Sequence, residues 1–133
     1  MPTAVKMDLE AVMPFAHRCG VVVQEASPQA VRGELAWSQE LCTANGVMHG
    51  GALMTLADTL GAACAFLNLP SGATTSTIES KTNFFHALRH GRARGVAVPL
   101  HLGGTVIVVQ TDIRDDEGRR IALVTQTQVV RAP

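Results

Sequence analysis

The hydrophobic positions of this chain change period along its length, and each change marks an element. Pro14 can occupy the first turn of a short helix through Phe15 and Ala16, with Gly20 placed to cap its C-terminus; the element reads as peripheral. Val21 to Glu25 and Val31 to Trp37 are β-favouring runs, and Ala26-Ser27-Pro28-Gln29 between them reads as a hairpin turn or a bend. A polar, irregular stretch from Ser38 to Met48 follows. Gly50 or Gly51 then opens a long helix that continues to about Asn68, where Pro70-Ser71-Gly72 stops it. Apolar residues on all sides of that helix predict that it is wrapped rather than perched on a surface.

Beyond Gly72 the period becomes that of strands. Thr74 to Phe85 is rich in threonine and ends in aromatics, Arg94 to Leu102 alternates Val96, Val98, Leu100 and Leu102, and Thr105 to Ile113 is nearly continuous in valine and isoleucine. Asp115-Asp116-Glu117-Gly118 is turn chemistry, and Ile121, Leu123, Thr125, Thr127 and Val129 alternate down a last strand. Pro99 inside a strand predicts an edge or a bulge there. Two strands, a buried helix and four strands joined by short turns make an α+β layout, one long central helix wrapped by a mainly antiparallel sheet of five to six strands. One sheet cannot enclose every side of such a helix. The uncovered side therefore predicts an obligate homo-oligomer, with a dimer as the minimal unit and a tetramer as the expected assembly.

Composition narrows the possible partners. The 133 residues fit a single domain spanning 1–133. Zero formal net charge and 47% apolar residues point to neither a nucleic-acid surface nor a disordered chain. Three cysteines, Cys19, Cys42 and Cys64, have no framework spacing, and Met1 to Glu10 lacks a basic region followed by an apolar one. A reducing cytoplasm is the expected location. The run from Gly50 to Leu69 is about long enough to span a bilayer, but Asp58 sits near its middle and no basic flank follows it, so a buried core helix is predicted instead of a membrane partner.

Asp58 is the only charged residue of that helix, and a lone carboxylate in apolar surroundings must be either paired or used. At the helix start, free backbone N–H groups and the positive dipole end form an oxyanion site, and a glycine there lets a substrate approach closely. Gly50 and Asp58, eight residues apart, are about 12 Å apart along one helix and cannot grip one carbonyl together. Two such helices lying antiparallel across a two-fold axis would bring Gly50 of one subunit near Asp58 of the other.

His49-Gly50-Gly51 followed by Leu56-Ala57-Asp58, with Ile78-Glu79-Ser80-Lys81-Thr82-Asn83-Phe84 later, closely resembles the hotdog-fold acyl-CoA thioesterases of the phenylacetate-degradation (PaaI-like) family, over about Phe15 to Val130. The resemblance implies an acyl- or aryl-CoA substrate hydrolysed to free acid and coenzyme A without metal or cofactor. It implies that the Gly50 N–H polarises the carbonyl and that Asp58 of the facing subunit acts as a general base toward water or as a nucleophile. Ser76 matches a serine that helps hold the attacking water in relatives that use aspartate. Thr43 stands where relatives carry Asn or Gln six residues before the histidine; a hydroxyl cannot both donate and accept as an amide does, and Asn45 is near enough to substitute for it. His49 is expected to orient the loop at the helix mouth, and Gly51 to lie beside the substrate.

Around Gly91, His86, Arg89, His90, Arg92 and Arg94 form a basic cluster that would suit coenzyme A phosphates, Arg89 and Arg92 foremost, or is an ordinary solvated turn. His86 and His90 lack the helix and third ligand of a metal site, and Cys42 near His49 lacks an activating group for a nucleophile. Met54, Leu56, Phe66, Phe84 and Phe85 would line an aryl or alkyl tunnel or belong to the core. The rival functions are a hydratase or dehydratase using His49 with Asp58, whose His-Phe-Pro-Gly type of motif this chain lacks, and a non-catalytic acyl-CoA binding protein.

Overall fold

A computed structural model describes residues 7–133; the first part of the Met1 to Glu10 reading lies outside these residues. The elements run α1 (Leu9–Val12), α2 (Pro14–Cys19), β1 (Val22–Ala26), β2 (Val31–Ala36), α3 (Gly50–Leu67), β3 (Thr74–Phe84), β4 (Arg92–Leu102), β5 (Val106–Arg114) and β6 (Arg120–Arg131). The strands form one six-stranded sheet in the order β1-β2-β4-β5-β6-β3, antiparallel at every pairing. α3 packs against all of β2 to β6 and touches β1, so the sheet wraps the helix in a hotdog fold.

The helices start and stop where local chemistry dictates. Pro14 opens α2, where a missing N–H costs nothing, and Gly20 closes it at φ 100°, a conformation that favours glycine. α2 is peripheral, as expected: it is exposed except at the half-buried Cys19 and the buried Ala16, and its contact with α3 is small. At the far end of α3, the Asn68 side chain donates to Cys64 O at 2.8 Å and to Pro28 O at 2.9 Å, tying the helix terminus to the β1–β2 turn. α3 is long and apolar enough to cross a membrane, but half of that stretch is buried inside this fold.

On β4 the buried positions are small, Ala93, Gly95 and Ala97, and Leu56 and Leu60 of α3 lie over Gly95. The alternating series Val96, Val98, Leu100, Leu102 and Leu123, Thr125, Thr127, Val129 does mark strands, but these side chains occupy the less buried face. The buried positions take the opposite parity: Ala93, Gly95 and Ala97 on β4, Ile107, Val109, Thr111 and Ile113 on β5, and Ala122, Val124, Gln126 and Gln128 on β6. Pro99 sits in an interior strand, beyond the reach of β2, which ends its pairing with β4 at Ala97, and beside a bulge between Pro99 and His101. Its missing N–H therefore breaks no ladder bond toward β2.

Candidate active site

The loop before α3 fixes the helix mouth by backbone bonds. Thr43 N–H donates to Val47 O at 2.8 Å, Met48 N–H to Leu88 O at 2.8 Å and His49 N–H to Leu41 O at 2.7 Å. Trp37 Nε1 donates to Gly46 O at 2.9 Å and secures the turn whose Asn45 adopts φ 64°. His49 then caps α3, its Nδ1 accepting from Gly51 N–H at 2.7 Å, which puts the ring proton on Nε2 when the imidazole is neutral. A Cβ on Gly51 would lie 2.9 Å from that Nδ1, so the second glycine keeps the cap closed.

The cap has a chemical consequence. Ala52 and Leu53 N–H both find His49 O, at 2.9 and 3.3 Å, and Gly51 N–H finds His49 Nδ1. Among the described residues, Gly50 N–H is the one donor of the first helical turn without an acceptor. Gly50 lines a cavity of about 410 Å³ together with Thr43, Val47, Leu53, Phe84, Phe85 and His86 among others. The Phe84 ring lies so close that a Cβ on Gly50 would stand 3.0 Å from it. A free N–H at the positive end of a helix, with no side chain in front of it, can receive an oxygen carrying developing negative charge.

Asp58 lies further along the same helix, exposed, against the edge of the sheet. Its Oδ1 accepts from Thr77 Oγ1 at 2.7 Å and from Gln126 Nε2 at 3.0 Å, while Oδ2 has no partner among the described residues. Beside it is a second groove, about 330 Å³, walled by Met13, Pro14 and Phe15 of the α2 region and by Thr55 and Ala62 of α3.

Several predicted site residues are placed differently from the expectation. Thr77, not Ser76, meets Asp58: adjacent strand residues point to opposite faces, and Ser76 Oγ instead accepts from Arg131 at 2.9 Å. Thr43 does line the cavity at Gly50, whereas Asn45, in its exposed turn, lines no part of it. Arg92 is paired to Glu34 at 3.2 Å, and Arg94 bridges Glu34 and Asp116 at 2.9 Å each, so the basic cluster is largely neutralised. Arg89 has no ion pair among the described residues and lines a separate cavity of about 460 Å³ with His90, Arg119 and Glu117. Of the proposed tunnel residues, Phe84 and Phe85 line the Gly50 cavity, Leu56 is fully buried core, and Met54 and Phe66 are exposed and line neither cavity.

Thr77, Gln126 and Gln128 were missed by the sequence reading. The available signal was the parity of β6, in which Gln126 and Gln128 continue the helix-facing series of Ala122 and Val124. Two glutamines at buried positions demand polar partners.

The chain is similar to known hydrolases. It is 38% identical to the 1,4-dihydroxy-2-naphthoyl-CoA hydrolase of Escherichia coli K12 over 56% of this chain and 54% of that one. It is 37% identical to the proofreading thioesterase EntH of Cronobacter sakazakii over 56% of this chain and 55% of that one. The chain thus spans about half the length of these curated relatives. A solved thioesterase structure from Haemophilus influenzae shares the fold, with a TM-score of 0.85 at 24% identity, covering 98% of this chain and 94% of that one. The family model of the thioesterase superfamily matches residues 45–122, from the loop before α3 to the start of β6, and the chain belongs to that superfamily.

Proposed function

We propose that this protein is an acyl-CoA thioesterase that hydrolyses an acyl- or aryl-CoA thioester to the free acid and coenzyme A. The observation that carries the reading is the pair of unused groups on α3, the Gly50 N–H at the helix mouth and the Asp58 Oδ2 further along. One is a donor for an oxyanion and the other an acceptor for a proton, or a nucleophile. Being about 12 Å apart on one helix, they act together only across a homodimer, Gly50 of one subunit facing Asp58 of its partner. The free edge of β3, with Ile78 and Phe84 exposed on that strand, supports such an interface.

In the reaction the thioester carbonyl oxygen accepts from Gly50 N–H while water attacks the carbonyl carbon and gives its proton to Asp58. Alternatively Asp58 attacks directly and water cleaves the resulting mixed anhydride. In both, the C–S bond breaks and the sulfur leaves as thiolate, to be protonated as coenzyme A. A single backbone donor to the oxyanion contributes about 10²- to 10³-fold in rate. A CoA hydrolase among the relatives supports a CoA ester as substrate. Arg89, exposed and without an ion pair among the described residues, suits the coenzyme's phosphates better than Arg92 does. The free thiols of Cys19, Cys42 and Cys64 are consistent with a cytoplasmic setting.

The test is release of free coenzyme A, read with a thiol reagent, from short, medium, long and aryl acyl-CoAs, with Asp58→Ala and Asp58→Asn alongside. Both variants are expected to stay folded and lose about 10²- to 10⁴-fold in turnover. Hydrolysis unchanged in either variant overturns the role of Asp58, and no release from any ester favours a non-catalytic binding protein.

A further inference from the structure

We infer that Gln126 is a positioning residue for Asp58 and that Gly61 is the gap through which it reaches the carboxylate. This deepens the thioesterase reading and rests on it. Gln126 lies on β6, fully buried, and its amide crosses from sheet to helix with Nε2 donating to Asp58 Oδ1 at 3.0 Å. An ionised carboxylate only accepts, so the amide meets it nitrogen first. The other end of the amide, Oε1, is buried without a hydrogen-bond partner among the described residues. A buried acceptor is rarely left bare, and with no partner for Oε1 among the described residues the amide's hydrogen bonds lie on its nitrogen side, toward Asp58 and Thr77.

That end of the amide lies against Gly61, three residues after Asp58 and therefore on the same side of α3. A Cβ at Gly61 would stand 2.5 Å from Gln126 Cδ and closer still to Oε1, with no solvent-exposed space into which the side chain could retreat. Helix propensity alone favours alanine at an interior position. The glycine is accounted for by the amide passing beside it.

A second line of donors ends on the same oxygen. Thr75 Oγ1 donates to Gln128 Oε1 at 3.2 Å, and Gln128 Nε2 donates to Thr77 Oγ1. Thr77 then directs its own proton to Asp58 Oδ1 at 2.7 Å. Two donors from two strands converge on Oδ1 and none on Oδ2, which fixes the rotation of the carboxylate and leaves one oxygen for the reaction. Gln126 does not touch that free oxygen, so its loss should slow turnover without weakening substrate binding.

The experiment compares Gln126→Met, Gly61→Ala, the double variant and Asp58→Asn by steady-state hydrolysis of the best ester in the panel, with circular dichroism to establish folding. Each single change is expected to lower kcat about 10- to 100-fold, the scale of a small misplacement of a reacting group, with KM within about twofold of wild type. The double variant should be no worse than the worse single, because both changes break one contact. Full kcat in Gln126→Met, or losses that multiply in the double variant, overturn the inference, as does a KM that moves with kcat. Should Gly61→Ala fail to fold, Thr77→Ser against Thr77→Val tests the same clamp: the serine should retain kcat and the valine lose it, and equal rates in the two overturn it. Asp58→Asn separates the two levels. If it is inactive while Gln126→Met is normal, the role of Gln126 alone is refuted; if it is active, the reading of Asp58 as the reacting group fails.

Discussion

Leu60 sets the seat of the helix that carries Gly50 and Asp58, and its removal should be among the most costly single changes in the core. The side chain is fully buried over Gly33 and Gly95, which face each other across the β2–β4 pair. A Cβ on Gly33 would lie 2.7 Å from Leu60 Cδ2, and one on Gly95 2.7 Å from Leu60 Cδ1, so the two methyls fill a notch made by two absent side chains. Leu60→Ala removes three buried carbons, about 2.4 kcal/mol at about 0.8 each. Beneath them is backbone that cannot collapse into the space, so a cavity term brings the expected loss to about 4 kcal/mol. In a domain of this size that lowers Tm by about 15 °C. Gly95→Ala alone drives a methyl into Leu60 and should cost about 1–3 kcal/mol. In the Leu60→Ala background the same methyl occupies vacated space and should restore stability. Gly33 is not a usable partner for this swap, because its Cβ would also meet Val22 O at 2.7 Å. Urea unfolding at fixed protein concentration, followed by circular dichroism and by fluorescence of Trp37, the single tryptophan, measures all four proteins. A loss below about 2 kcal/mol for Leu60→Ala, or a Gly95→Ala effect of the same sign in both backgrounds, would refute the notch as the seat of the helix.

Other consequences are as open to measurement. His49→Ala removes the side chain that accepts from Gly51 N–H and should cost about 1 kcal/mol in the same unfolding assay, with His49→Asn recovering most of it. Burial pushes the Asp112 carboxyl up, but hydrogen bonds from Arg120 and Arg114, with their charges, outweigh it and hold the group below its ordinary value. A lowered value in the folded state means a contribution present above the ordinary carboxylate value, near pH 4, and lost as pH falls through the folded one. Asp112→Asn should therefore flatten the acid decline of stability below about pH 4 in a pH series of unfolding midpoints. Burial pushes the Cys64 thiol up to about 11, so a thiol reagent should modify Cys19 and Cys42 in the native protein and Cys64 only after unfolding.

Much of the fold was legible in the residues because it rests on local chemistry. Pro14 and Gly20 bound α2, Gly50 and Pro70-Ser71-Gly72 bracket α3, and alternation marks the long strands whichever face it occupies. The wrapped helix followed from a segment apolar on every side. Gly50 and Asp58 stood out as candidates for a similar reason: a glycine at a helix start and a single carboxylate within an apolar segment are each unusual, although the fold leaves Asp58 exposed rather than enclosed.

What the sequence by itself determined, then, was the element order, the central helix and the Gly50–Asp58 pair along it. Which residues surround that pair was decided by tertiary structure. Strand parity is fixed by what packs beneath the sheet, so Thr77 and not Ser76 reaches Asp58. Pairing across β3 and β6 brought in Gln126 and Gln128, far away in sequence, and the salt bridges of Glu34 and Asp116 drew Arg92 and Arg94 out of a basic cluster that looked free in one dimension. Local propensity acts over a few residues, whereas hydrogen bonds and ion pairs join groups that only the folded sheet brings within about 3 Å of one another.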